Sequence, residues 1–291
     1  DSKSPMYFIA IACGANIAFD YIFMGALHLG PAGAALGTTL AQALSVVIAL
    51  TVILKKKMGI SVSRQDFRPR REATGQIVRI GLPIALQDGL IQVAFIIITI
   101  IANRRGLSDA AAVGIVEKII SFLFLVPSSM LSAVSALGAQ NIGAGKLERV
   151  REGFRASHFI GIVYSVVVGS FLFFAGKYFA YLFISDNIEE VLPMVAIYVK
   201  CVALFFIPLY FVNVLRNGIQ GMGYGLLPMM AGVAELAGRG ITATIAAGKS
   251  SYVGTFLASP VAWVFASVLL WCMYFYVMKD MSRKLYGTNK L

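Results

Sequence analysis

Eight long apolar segments run through the chain, and they restrict its fold more than any other feature. Each is about 20 residues or longer, the length that an α-helix needs to cross the hydrocarbon core of a bilayer. The runs are continuous, whereas the strands of a β-barrel would be short and alternating. Only 13% of the residues are charged, against about 25% in soluble domains. The sequence therefore predicts an all-α, multi-pass membrane protein. The segments are 6–28, 32–54, 77–102, 109–138, 156–176, 190–215, 226–247 and 251–278.

The basic residues are distributed unevenly between alternate loops. Eighteen lysines and arginines, Arg216 among them, fall in one set of loops and at the two ends of the chain, against four in the other set. By the positive-inside rule the first set is cytoplasmic, which predicts an inner-membrane protein with both ends of this chain in the cytoplasm. The same distribution explains the net charge of +11 without any nucleic-acid partner. The polar stretch 55–76 is expected to be a linker lying along the anionic inner leaflet.

Two parts of the chain repeat one pattern of small and apolar residues. Self-similarity at a fixed offset predicts a transporter that is built from two related lobes. Four apolar segments precede the second copy and none precedes the first, so we expect an amino-terminally truncated chain. The expected domains are 1–54 (last two helices of an amino lobe), 55–76 (linker), 77–280 (six-helix carboxy lobe) and 281–291 (cytoplasmic tail). The matched positions are Pro5, Gly33, Leu36, Thr38 and Ala41 with Pro228, Gly254, Leu257, Ser259 and Ala262.

Asp20 is a carboxylate within the first apolar segment, where a charge costs about 2.5–3.5 kcal/mol on insertion scales. Asn16 lies one helical turn before it on the same face, and Thr38 lies at a similar depth on the next helix. Carboxylate, amide and hydroxyl oxygens suit a hard cation such as Na⁺, and a buried carboxylate also suits a proton. We favour a coupling-cation site at these three residues. The alternative is an interhelical hydrogen-bond network that only packs the hairpin.

Two further pairs of charges lie inside the later apolar segments. Glu235 and Arg239 are spaced i,i+4 and are expected to form a structural ion pair, with a gate or a substrate contact as the alternative. Glu117 and Lys200 each lie about ten residues from the outer surface, so their depths match and they are candidates for a second ion pair. These four residues are therefore candidates for substrate contact or gating.

Three polar side chains in the third segment complete the candidates. Asp88 and Gln92 share one face of the predicted helix, and Gln87 lies beside them. The sequence contains neither a zinc-hydrolase motif nor a nucleophile elbow, so an enzyme is not expected. No resident cofactor is expected, apart from Na⁺ or H⁺ as the coupling ion.

Several stretches resemble the multidrug and toxic compound extrusion (MATE) family. DSKSP, NIAFD and GPAGAALGTTLAQ are similar to the family's fifth and sixth helices. IGLPIALQ, GAQNIGAGK and LRNGIQGMG are similar to its seventh, eighth and tenth helices. The resemblance implies a V-shaped cation antiporter of twelve helices in two six-helix lobes, and this chain would supply the last eight.

The resemblance also assigns roles to individual residues. In the DinF-like and archaeal branches, Asn-x-x-x-Asp on the fifth helix and Thr on the sixth belong to an amino-lobe cation site, and they match Asn16, Asp20 and Thr38. A further Asp on the family's first helix falls outside this sequence. Other branches carry an acidic residue where this chain has Gln87. That departure, with the lack of an acid along 202–216, argues against a carboxy-lobe cation site of that kind.

The expected function is cation-coupled export of amphipathic or cationic organic compounds. The chain has 20 Phe, 12 Tyr and 11 Met, which supply adaptable apolar surface for poorly specific binding. The expected partners are these compounds and the lipid bilayer, and the full-length protein is expected to be monomeric. The alternatives are a lipid-linked oligosaccharide flippase of the same superfamily and a non-coupled channel.

Overall fold

The computed structural model describes residues 3–55, 70–183, 188–248 and 252–287, and these are organised almost entirely as helices. The chain divides into two compact units, Asp1–Arg71 and Glu72–Leu291. The α-helices in the described ranges are α1 (Lys3–Asp20), α2 (Gly30–Lys55), α3 (Arg71–Arg105), α4 (Leu107–Leu123), α5 (Leu125–Gly143), α6 (Leu147–Ala175), α7 (Ile188–Leu204), α8 (Phe206–Gly221), α9 (Leu226–Gly248) and α10 (Tyr252–Tyr286).

The helices account for the eight predicted apolar segments, but not all of them are simple spans. Within the described residues, five helical stretches are long and apolar enough to cross a membrane, and the number is up to seven when each of two bent helix pairs counts as one span. The remaining predicted segment, 226–247, is the helix α9. It is not among those seven, and it carries Glu235 and Arg239, which lower its hydropathy.

The first unit is a helical hairpin of α1 and α2. After α1 the chain continues as a π-helix over Tyr21–Ala26 and turns into α2 through residues with positive φ, His28 at 50° and Gly30 at 55°. Much of the apolar surface of this hairpin is open: the side chains of Ile9 and Tyr21 are 69% and 77% exposed. Such a surface suits lipid or further helices rather than water.

In the second unit, prolines explain the two bends. The axes of α4 and α5 differ by 51°, and those of α7 and α8 by 54°. Pro127 and Pro208 are each the third residue of the helix that follows the bend. A proline has no N–H for the carbonyl four residues earlier, which bends the helix. The carbonyl of Leu123, which Pro127 leaves free, accepts a hydrogen bond of 2.6 Å from the hydroxyl of Tyr164.

Glycines let the helices around α8 approach closely. A side chain at Gly161 would collide with the ring of Tyr210, and one at Gly221 would collide with the backbone of Ser135 on α5. Tyr210 is buried and its hydroxyl donates to the carbonyl of Ser157 at 2.6 Å, so its ring has no freedom to move aside. Helix α8 therefore lies at the centre of the packed core of this unit.

The expected boundaries of the linker and the tail differ from the observed helix ends. Residues 71–76, expected in the linker, are the first turns of α3, and 56–69 lie outside the described residues. The expected tail begins at 281, but α10 continues to Tyr286. Hydropathy marks where a chain leaves lipid, whereas a helix continues until its backbone hydrogen bonds end.

We expect Gly221→Ala to destabilise the second unit by about 1–3 kcal/mol, because the added methyl group meets the backbone of Ser135, which a rotamer change cannot move. Thermal unfolding of the detergent-solubilised protein measures this. Gly143→Ala is the matched control, since it is also the last residue of its helix and its added methyl would meet no atom within 4 Å. Equal stability of the two variants would contradict the packing argument.

Candidate functional site

The hairpin brings two of the three predicted cation-site residues into contact. The amide nitrogen of Asn16 on α1 donates to the hydroxyl oxygen of Thr38 on α2 at 3.4 Å. The Thr38 hydroxyl in turn donates to the carbonyl of Ala34 at 3.0 Å, one turn earlier on its own helix. The Asn16 bond uses the nitrogen, so the amide oxygen is the atom that this bond leaves available to a cation.

The carboxylate of Asp20 lies directly against the backbone of Gly37, the residue before Thr38. A Cβ atom at Gly37 would be 2.6 Å from Oδ1 of Asp20, so any larger residue here would force this carboxylate to move. Oδ1 is buried and has no hydrogen-bond partner in the part of the chain that the structure describes. The structure thus places an oxygen with unused hydrogen-bonding capacity against Gly37, which precedes Thr38 in the chain.

Asp20 also stands at a change of helix type. It is the last residue of α1, and the π-helix Tyr21–Ala26 begins immediately after it. π-helical turns inside α-helices are rare and are frequent at functional sites. A shallow cavity of about 460 Å³ adjoins the carboxylate and is lined otherwise by Ile17, Tyr21, Met24 and Gly25. The site is therefore reachable from the surface of this unit.

The donor set determines which ions fit the site. Among the described residues, no group of three or more His, Cys, Asp or Glu side chains is placed to hold a metal ion. One carboxylate, one amide oxygen and one hydroxyl instead suit a single hard cation such as Na⁺, and the carboxylate alone suits a proton. The arrangement does not fit a transition metal that requires nitrogen or sulfur ligands.

The second unit contains a buried triad of charges rather than the expected pair. Arg239 donates to Oε2 of Glu235 at 3.2 Å, as the i,i+4 spacing predicts. Arg216 on α8 forms a hydrogen-bonded ion pair with the other oxygen, Oε1. The prediction that Arg216 is a cytoplasmic loop residue is wrong: it lies within α8 and is only 6% exposed. Arg216 directly follows the predicted apolar segment 190–215, so the sequence did not indicate that its side chain is buried.

Glu117 and Lys200 are not brought together. Lys200 is exposed and its ammonium lies 5.5 Å from the centroid of the Phe173 ring. Glu117 lines a cavity in the same unit, and its Oε1 has no hydrogen-bond partner among the residues described. Matching depth is not sufficient for contact, because each side chain points in the direction that the rotation of its own helix sets.

The three candidates on α3 differ in burial: Gln87 is buried, whereas Asp88 and Gln92 are exposed. Gln87 is buried, and its side-chain oxygen accepts a hydrogen bond of 3.1 Å from Gln220 on α8. Its amide nitrogen lies 3.4 Å from Oδ1 of Asp88. Asp88 and Gln92 are exposed and line the same cavity as Glu117. Gln87, at the position where other branches carry an acidic residue, therefore links α3 to α8.

Sequence reasoning missed three features that shape these sites. They are the glycine against the Asp20 carboxylate, the π-helix after it, and Arg216 as the third member of the triad. Gly37 belongs to the segment GPAGAALGTTLAQ, in which small residues at spacings of three and four indicate a close helix contact. The sequence carries no comparable signal for the π-helix.

Apolar helices of bilayer length, with charged and polar groups held in their interior, define a multi-pass helical membrane protein. The chain belongs to the MATE family: residues 83–245, more than half of it, match the MatE family model. This confirms the family and the helical membrane fold that the sequence predicts. The DinF-like branch and the truncation stay predictions.

Relatives and solved structures agree with this assignment. The probable multidrug resistance protein YpnP of Bacillus subtilis is 31% identical over 231 residues, which are 79% of this chain and 51% of that protein. The multidrug export protein MepA of Staphylococcus aureus is 26% identical over 235 residues, 80% of this chain and 48% of that protein. The chain thus spans about half the length of these curated relatives. A MOP superfamily transporter from Pyrococcus furiosus has the same fold, with a TM-score of 0.85 at 21% identity over 97% of this chain and 63% of that one.

We expect Glu235→Gln to destabilise the protein by about 3–5 kcal/mol, because two buried guanidinium groups then lose their common carboxylate. Thermal unfolding in detergent measures the effect. The control is Glu148→Gln, which breaks an exposed i,i+3 pair with Arg151 and should change stability little. If both variants unfold at the same temperature, the triad does not stabilise this unit.

Proposed function

We propose that the protein containing this chain exports amphipathic and cationic organic compounds, and that the inward movement of Na⁺ or H⁺ through a site at Asn16, Asp20 and Thr38 drives export. The observation that supports this most directly is the buried oxygen of Asp20, which lies against Gly37 and has no hydrogen-bond partner among the described residues. Asn16, one turn earlier on the same helix, is hydrogen-bonded to Thr38, the residue after Gly37. A carboxylate held in an apolar hairpin is costly unless an ion or a proton neutralises it. Binding of a cation therefore lowers the free energy of the site.

The neighbouring helix provides a way for cation binding to change the conformation. The π-helix begins at the residue after Asp20, so the charge of the carboxylate acts where the backbone changes its hydrogen-bond register. Neutralising the carboxylate removes a charge that lies against Gly37 and alters how α1 packs on α2. The amino lobe would then exchange between a drug-binding and a cation-bound packing, as an antiporter requires.

The membrane arrangement follows from the distribution of charge. We propose that the loops rich in lysine and arginine face the cytoplasm, and that the protein lies in the inner membrane and acts as a monomer. The cargo meets a protein rich in Phe, Tyr and Met, which adapts to apolar compounds of different shapes. The family relationship and the multidrug names of the relatives support this choice of cargo.

Replacing Asp20 by Asn in the full-length protein should reduce gradient-driven drug transport to the level of empty vesicles, because an amide takes up no proton and supplies no negative charge to neutralise a cation. Proteoliposomes loaded with a fluorescent organic cation, and exposed in turn to a Na⁺ gradient and a pH gradient, measure this. Whichever gradient drives export in the unmodified protein identifies the coupling ion.

The matched control is Glu72→Gln, which removes an exposed carboxylate at the start of α3 and should leave coupled transport intact. Undiminished gradient-driven export by Asp20→Asn would overturn the assignment of the site. Drug flux that needs no gradient would indicate a channel, and movement of lipid-linked sugar without drug export would indicate a flippase.

Gly37→Ala tests the geometry of the site without changing its charge. The added methyl group displaces the Asp20 carboxylate, so we expect the cation concentration for half-maximal transport to rise roughly tenfold, which corresponds to about 1.4 kcal/mol. The control is Gly14→Ala on the same hairpin, whose added methyl would meet no atom within 4 Å. The same cation dependence in both variants would show that the position of the carboxylate against Gly37 is unimportant.

A further inference from the structure

A second polar site lies wholly within the second unit. A cavity of about 480 Å³ is bounded by residues of α3, α4, α7, α8, α9 and α10. This volume suits a small organic molecule and greatly exceeds that of a single inorganic ion. The wall includes four aromatic side chains, Phe95, Phe124, Tyr198 and Trp263, and it also includes the charged triad of Arg216, Glu235 and Arg239.

The triad has more positive charge and more hydrogen-bond donors than it uses. Each oxygen of Glu235 is occupied by one guanidinium group, so two arginines share a single negative charge. Arg239 is 2% exposed, and its Nε and Nη1 have no hydrogen-bond partner within the described ranges. Nε of Arg216 has none either. An anion in the cavity would satisfy donors that the protein leaves unpaired.

The side chain of Arg239 is held in place from a third helix. Its guanidinium carbon lies 4.4 Å from the centroid of the Phe95 ring on α3, a cation–π arrangement. Glu235 fixes one of its nitrogens from the same helix. The guanidinium is thus pre-organised, and binding an anion would require little loss of side-chain freedom.

Two other carboxylates limit the charge of the ligand. Asp88 and Glu117 line the cavity, but among the described residues neither is within 4.0 Å of a guanidinium nitrogen of the triad. They do not neutralise the arginines directly, and they repel a dianion about twice as strongly as a monoanion at the same distance. A monoanion is therefore favoured over a dianion such as a phosphate monoester.

From these observations we infer that the carboxy-lobe cavity binds an aromatic monocarboxylate, with its carboxylate on Arg239 and Arg216 and its ring against Phe95, Tyr198 and Trp263. The aromatic walls supply apolar contact area for the ring. That such a compound is exported rests on the function proposed above, whereas its binding at equilibrium does not.

The two tryptophans of the chain make this binding measurable. Trp263 lines the cavity and Trp271 lies in a different one, so Trp271→Phe leaves Trp263 as the sole tryptophan of these 291 residues. Any tryptophan of the full-length protein outside them is replaced by Phe as well. Titrating this full-length protein in detergent with 4-nitrobenzoate, a nitroaromatic quencher, should give saturable quenching. The uncharged methyl ester and the dianion 4-nitrophthalate should give none. Saturation by the ester equal to that by 4-nitrobenzoate would overturn the inference.

Variants in the same background identify the binding group. Arg239→Gln should weaken 4-nitrobenzoate binding at least tenfold, while Arg79→Gln, which changes an exposed arginine on α3, should not alter it. If Arg239→Gln does not fold, Ser121→Phe provides a second test, because it fills the cavity from α4 without touching the ion triad. Unchanged binding in Ser121→Phe, or in folded Arg239→Gln, would overturn the inference.

The outcome is separable from that of the transport experiments. Saturable quenching that depends on Arg239 should persist in an Asp20→Asn background, whatever happens to coupled export there. Coupled export that is lost in Asp20→Asn, together with no saturable quenching when Asp20 is intact, would overturn the cavity inference and leave the proposed function standing.

Discussion

Hydrocarbon offers no hydrogen-bond partner to a polar group, and the rest of this structure depends on that constraint. It requires helices throughout the spanning segments, because only a helix satisfies its own backbone within a single segment. Where Pro127 breaks this pattern, the freed carbonyl of Leu123 receives the hydroxyl of Tyr164. Helix α9 places Glu235 and Arg239 in the core, and Arg216 on α8 forms the second ion pair with Glu235. Each polar group that enters the apolar interior is matched by a partner, with few exceptions.

The exceptions identify the functional candidates. In the first unit, one oxygen of Asp20 is buried without a partner. In the second unit, Arg216 and Arg239 share one carboxylate and retain unpaired N–H groups beside a cavity. Other buried atoms of the described residues also lack a partner, Oε1 of Glu117 among them. The groups at Asp20 and at the two arginines have opposite charge, so they suit opposite ligands, a cation at Asp20 and an anion at the arginines. Each site is held within one unit and is testable without the other.

Glycine positions connect the packing of the helices to these sites. Gly221 lets α8 approach α5 closely, which fixes the helix that carries Arg216. Gly37 lets the Asp20 carboxylate rest on the backbone of α2, one residue from Thr38. In a membrane, helices associate through close packing, because the hydrophobic effect does not drive them together there. In this protein the same close packing also positions the charged groups.

The sequence alone determined the class, the family and the eight helical segments, because apolar length and small-residue patterns are local properties. It also predicted the contact of Asn16 with Thr38 and the pair Glu235–Arg239, since depth in a hairpin and i,i+4 spacing need only helix geometry. Only the tertiary structure showed that Arg216 joins Glu235, 19 residues along the chain, and that Glu117 and Lys200 stay apart. Contacts of that kind depend on how each helix is rotated and bent against its neighbours, which is set by the packing of many side chains at once.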